Sequence, residues 1–157
     1  MIEWTSGDVL QATADYIAQG VATGSQEGLG TGLALKISTA WPMVQQRFKK
    51  HTRNAIFAGG DLFAVAPGPG HPGLIYLATQ PDMYHATLPF LNRALRNLAK
   101  YCAKTAAASV ALPKIGAGLG KLDRETEVKP LMIRHLSPGA TLFLVYEDFK
   151  LEYEQPG

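Results

Sequence analysis

At 157 residues the chain is long enough to bury roughly 70% of its unfolded surface, so the fold needs no disulfide or metal staple. A composition of 46% hydrophobic and 18% charged residues suits a globular protein, and a net charge of +2 gives no bulk argument for a nucleic-acid groove or a membrane patch. A single cysteine, Cys102, excludes an internal disulfide, and His51, His71, His85 and His135 stand too far apart to spell a metal site. Neither a metal nor a cofactor is expected. No basic-then-apolar leader opens the sequence, and no apolar run approaches the ~20 residues of a membrane span. These features imply a cytoplasmic monomer without a membrane partner.

In chain order, Ile2 to Thr5 reads as a short edge strand closed by Ser6-Gly7-Asp8. Tyr16 to Ala22 reads as a largely buried strand. A glycine-rich segment over 24–32 leads into a helix over 33–39. A second helix follows over 41–51, with Pro42 early in it, where proline is tolerated. Ala55–Ala58 and Asp61–Val65, separated by Gly59-Gly60, predict a hairpin. The proline- and glycine-rich stretch 67–73 reads as a loop, and Leu74 to Ala78 as an apolar strand. Leu88, Leu91, Leu95 and Leu98 recur at helical spacing and define a helix over 87–104. Ser109 to Leu112 is a strand ending at Pro113, 125–135 is helical, and Thr141 to Tyr146 is the last strand. The alternation predicts an α/β fold of three layers, with helices on both faces of a mixed sheet. One domain over 1–150 and a short polar tail over 151–157 account for the chain.

Two glycine runs stand out. Gly28-Leu-Gly-Thr-Gly32 lies between a strand and a helix, and so does Gly116-Ala-Gly-Leu-Gly120. Glycine lets backbone approach a ligand with no Cβ in the way. A helix that starts just beyond offers free N–H groups and a positive dipole end, which together favour phosphate. The first run fits neither the dinucleotide-fold fingerprint nor a P-loop, and taken alone it is equally a tight turn. In an open α/β sheet both runs leave the carboxyl ends of strands, where two loops can face one diphosphate. Asp8 is either a helix cap or an acceptor for an exocyclic amine such as that of adenine.

With these motifs in place, the chain resembles a macro domain, the module that binds ADP-ribose. The resemblance rests on Gly7-Asp8-Val9-Leu10, on Ile17–Ala22 leading into Gly28–Ala34, on Pro113–Asp123 with Val128–Leu131, and on Val145-Tyr146. It is most similar to the branch that holds the terminal ADP-ribose glycohydrolase and the DNA-directed antitoxins. The resemblance implies a mixed sheet between helices with the ligand across its crest. Asp8 and Val9 would hold the adenine, with Tyr146 near that end. Gly28, Gly30, Thr31, Gly32 and Leu33 would lie against the distal ribose. Ile115, Gly116, Ala117, Gly118, Leu119, Gly120 and Lys121 would wrap the diphosphate.

The chain departs from its relatives where the chemistry lies. Gln80 stands where the glycohydrolase and the antitoxins carry lysine, and an amide cannot attack the anomeric carbon. Gly120 replaces an aspartate of the glycohydrolase, Gln19 a histidine of the phosphatase type, and Gly20–Thr23 the Asn-Ala-Ala-Asn of the larger hydrolase class. The remaining catalytic candidates are Asp123, Gln80 and His85. Asp123 is either a general acid or base, or the cap of the next helix. His85 lies in the loop after Gln80, where an imidazole can move a proton near neutral pH. Gln80, Thr23, Ser25 and Gln19 can orient a water, and Lys121 can pair with a phosphate oxygen. The implied function is ADP-ribose binding with hydrolysis of ADP-ribosyl adducts: ester-linked on protein, base-linked on DNA, or O-acetyl-ADP-ribose. The partners would be ADP-ribose, ADP-ribosylated protein or ADP-ribosylated nucleic acid. The alternative is a non-catalytic ADP-ribose reader. A dedicated nucleic-acid binder is disfavoured by the small net charge.

Overall fold

The structure is a computed structural model that describes residues 1–23, 32–82, 85–113, 115 and 122–147. Six strands form one sheet: β1 (Ile2–Thr5), β2 (Tyr16–Ala22), β3 (Leu62–Val65), β4 (Gly73–Gln80), β5 (Ser109–Pro113) and β6 (Leu142–Tyr146), in the spatial order β1-β6-β5-β2-β4-β3. All neighbours run parallel except β3, which pairs antiparallel with β4 at the edge. The helices are α1 (Gly32–Ala40), α2 (Pro42–Asn54), α3 (Leu88–Thr105) and α4 (Lys129–Leu136), the last continuing a π turn over Arg124–Val128. No described helix is long and apolar enough to cross a membrane.

Period-two alternation divides the core. Along β4, Leu74, Tyr76 and Ala78 face one layer, while Ile75 and Leu77 face the other. The first layer holds Leu33 and Ile37 of α1 with Val44 and Phe48 of α2, packed on Ile17 and Val21. Phe48 lies flat on Tyr76, with ring centroids 4.1 Å apart. The second layer holds Leu91, Leu95 and Leu98 of α3 with Met132 and Leu136 of α4, packed on Val110, Leu112, Phe143 and Val145. A parallel strand covered on both faces must be apolar on both, which is why β4 reads as a continuous hydrophobic run.

One expected element is absent from its place. Ala55–Ala58 is not a strand, and β3 pairs with β4 rather than with it. α2 runs on to Asn54, and the Ala55 N–H closes its last turn on His51 O at 2.9 Å. The chain then folds back through a tight turn, in which Ala58 N–H donates to Asp61 Oδ2 at 2.7 Å. Phe57 drops into the core against Phe48, whereas Ile56 is 89% exposed. The apolar run thus serves as a connector with one anchoring ring. Gly59 and Gly60 are glycine because Phe90 and Arg93 of α3 occupy the space a Cβ would need.

Candidate functional site at the carboxyl edge of the sheet

The parallel strands all end on the same edge. Thr5 is level with Tyr146, Tyr146 with Pro113, and Ala22 with Gln80. Whatever follows each strand therefore emerges on one crest. Read across the sheet, that crest carries Asp8 and Val9 after β1, Tyr146 at the end of β6, Ile115 after β5, Ala22 at the end of β2, and Gln80 with His85 after β4. β2 and β5 are neighbours, and the chain leaves β2 toward β3 on one side but leaves β5 toward β6 on the other. Such a switch point is where open α/β sheets take ligands.

β2 pairs with β4 from Tyr16 to Ala22, but its register with β5 covers Tyr16 and Ile17 alone. Higher up, Gly20 admits the start of the second glycine loop. A Cβ there would lie 2.6 Å from Thr79 Oγ1 and 2.7 Å from Ile115 Cγ2. Ile115, just ahead of the second glycine run, is 3% exposed and is seated in the α3/α4 layer.

At the β1 end, Asp8 caps a single 3-10 turn, Val9–Gln11, with Oδ1 accepting from Leu10 N–H at 2.9 Å. Val9 is fully buried and shares a packing cluster with Tyr146, so the first and last strands deliver these residues to one place. Of the first glycine loop, Gly32 begins α1 and Leu33 is buried in the core; Gly28, Gly30 and Thr31 lie outside the described residues. Of the second, Gly116, Ala117, Gly118, Leu119, Gly120 and Lys121 likewise lie outside them.

The three catalytic candidates occupy distinct settings. Asp123 is the N-cap of the π turn, with Oδ1 accepting from Thr126 N–H and Thr126 Oγ1, each at 2.9 Å. Glu127 reaches back to the Asp123 N–H at 2.8 Å, which completes a reciprocal cap. The backbone and hydroxyl donors of Thr126 hold the Asp123 carboxyl below its ordinary range, so it is a carboxylate near neutrality. Arg124, next in sequence, ion-pairs with Glu125 and with Glu147 beyond β6, tying this turn to the end of the last strand.

Gln80 ends β4, which runs two residues past its expected end. Its carbonyl accepts from Thr23 N–H at 3.0 Å, and its Nε2 donates to Asp82 O at 2.7 Å. Asp82 in turn accepts the His85 N–H at 2.9 Å on Oδ1 and faces His85 Nδ1 at 3.2 Å. Sequence reasoning singled out Gln80 and His85 but passed over Asp82. The signal was an aspartate three residues ahead of a histidine just beyond a strand. It also undervalued two buried polar groups near the crest. Gln19 is 2% exposed and Thr79 fully buried, and among the described residues Gln19 Nε2 and Thr79 Oγ1 have no hydrogen-bond partner.

No protein-family model matches the sequence, and no curated protein matches it. Solved structures do. The macrodomain of Thermus aquaticus DarG superposes with a TM-score of 0.84 at 25% identity, over 94% of this chain and 98% of that one. The chain has the macrodomain fold. The macrodomain of Mycobacterium tuberculosis DarG gives a TM-score of 0.82 at 24% identity, over 94% of this chain and 99% of that one. Thermosipho africanus DarTG, solved in complex with ADP-ribose, gives 0.80 at 20% identity, over 95% of this chain and 42% of that one. The chain shares with these structures a mixed sheet held between helices, and of its candidate residues Asp8, Val9, Gln80, Ile115 and Tyr146 lie on the carboxyl edge of that sheet.

Proposed function

We propose that this chain binds ADP-ribose along the crest and hydrolyses ADP-ribosyl adducts. The observation that carries the reading is the convergence of Asp8, Tyr146, Ile115, Ala22 and Gln80 on one edge, in that order across the sheet. ADP-ribose is itself a linear sequence of adenine, ribose, diphosphate and distal ribose. In this reading Asp8, Val9 and Tyr146 take the adenine end, Ile115–Lys121 the diphosphate, and Gly28–Leu33 the distal ribose. The α1 N-terminus just beyond the first loop favours the phosphate charge. A structure of this fold, Thermosipho africanus DarTG, was solved in complex with ADP-ribose, which supports ADP-ribose as the ligand class.

Turnover would rest on positioning and on a water activated at the β4 end, because Gln80 offers no nucleophile there. Gln80, His85 and Asp123 are the residues available for that work. The protein would act as a monomer in the cytoplasm, on ADP-ribosylated protein, ADP-ribosylated nucleic acid or O-acetyl-ADP-ribose. One observation favours a non-catalytic reader instead: the Gln80 amide, at the position of a relative's lysine, is occupied by Asp82 O. Incubation with ester-linked ADP-ribosyl protein, ADP-ribosylated DNA and O-acetyl-ADP-ribose separates the two. Release of ADP-ribose from any of them supports the hydrolase. Three intact substrates alongside tight ADP-ribose binding establish the reader.

A further inference from the structure

We infer that Asp82 is a positioning residue that aims the His85 imidazole, through Nε2, as the general base for the attacking water. The inference rests on the hydrolase reading and deepens it by assigning the proton acceptor and the group that orients it.

The two residues are tied twice. Asp82 Oδ1 accepts the His85 backbone N–H at 2.9 Å, and His85 Nδ1 lies 3.2 Å from Oδ1 and 3.4 Å from Oδ2. One contact fixes where residue 85 sits, and the other fixes how its ring is turned. Asp82 is itself braced, because Gln80 Nε2 donates to its carbonyl at 2.7 Å. Gln80 in turn holds Thr23 N–H at the root of the first glycine loop. The network therefore hangs from the last residue of β4, beside β2. A carboxylate on Nδ1 selects the Nδ1–H tautomer and leaves the Nε2 lone pair as acceptor. The side chains are 63% and 41% exposed, so water can reach the ring.

The step balances for a carboxylate-ester adduct. Water oxygen bonds to the anomeric carbon of the distal ribose, and Nε2 takes its proton. The bond from that carbon to the ester oxygen breaks, and the carboxylate leaves with the bonding pair. The imidazolium then returns its proton to solvent. This leaving group needs no general acid, so one base suffices.

A peptide ADP-ribosylated on glutamate is the probe. His85→Ala is expected to lower kcat by about 10²-fold or more with KM unchanged. Asp82→Asn keeps an oxygen for the backbone N–H but loses the charge; kcat should fall to between wild type and His85→Ala, with KM again unchanged. Asp82→Glu should recover part of that loss, and Asp82→Asn added to His85→Ala should cost nothing more. In parallel, ¹⁵N spectra of the imidazole should show the Nδ1–H tautomer in wild type and its loss in Asp82→Asn. Wild-type turnover with full kcat in both single variants overturns the inference and leaves the hydrolase reading standing. An intact peptide with wild type, beside bound ADP-ribose, overturns both. An Nε2–H tautomer in wild type overturns the orienting role whatever the kinetics.

Discussion

A methyl group at Gly20 would sit 2.6 Å from the buried Thr79 hydroxyl and 2.7 Å from Ile115. One of them must move, and Ile115 leads into the second glycine loop. Gly20→Ala is therefore expected to cost about 1–3 kcal/mol of stability through overpacking and to weaken ADP-ribose binding as the loop shifts. Chemical denaturation and calorimetry on the same variant check both effects, and unchanged affinity would detach Gly20 from the loop. Asp123 makes a second residue-scale prediction. Its carboxyl is held below the ordinary range by Thr126, so the folded state favours the ionised form. The sign follows: its stabilisation is complete above the unfolded carboxyl's pKa and is lost as pH falls through the lower, folded value. The melting temperature of Asp123→Ala should trail wild type at neutral pH, and the gap should close in acid. A gap independent of pH would mean that the carboxylate charge contributes nothing to the cap.

At the scale of elements, α3 shows how much the sequence says outright. Leu91, Leu95 and Leu98 repeat at helical spacing, and all three are fully buried against β4 to β6. Leu95→Ala is expected to cost about 2–5 kcal/mol, read as a lower denaturant midpoint; a loss under 1 kcal/mol would contradict this packing. The parallel strands are legible for a similar reason, since burial on both faces leaves nearly unbroken apolar runs such as Leu74 to Ala78. The connector over 55–60 was not legible. Its Ala-Ile-Phe-Ala run has strand composition, yet a two-glycine turn and the Asp61 carboxylate fold it back, and only Phe57 is drawn into the core. At the crest, the position of Asp8 as a cap just after the first strand could be read from residue chemistry and local order. Asp82 could not, because its role depends on a side-chain contact to His85 across a turn. The crowding at Gly20 was hidden too, since Thr79 and Ile115 reach it from other strands.

On the scale of the whole molecule, parallel topology does the assembling. Segments 5 to 146 residues into the chain reach one edge because β1, β2, β4, β5 and β6 all point the same way. Sequence order along the chain is not the order across the crest, so which of these residues are neighbours there follows from the strand order. Calorimetric titration with ADP-ribose measures whether this crest takes the nucleotide. Saturable one-to-one binding by the wild type is expected. Loss of that binding is also expected in Gly32→Glu, with the fold retained, because a side chain and a negative charge would be added where the distal ribose is proposed to lie, next to the diphosphate. No heat of binding from the wild type at millimolar ADP-ribose, or undiminished affinity in Gly32→Glu, would contradict ADP-ribose binding at this crest.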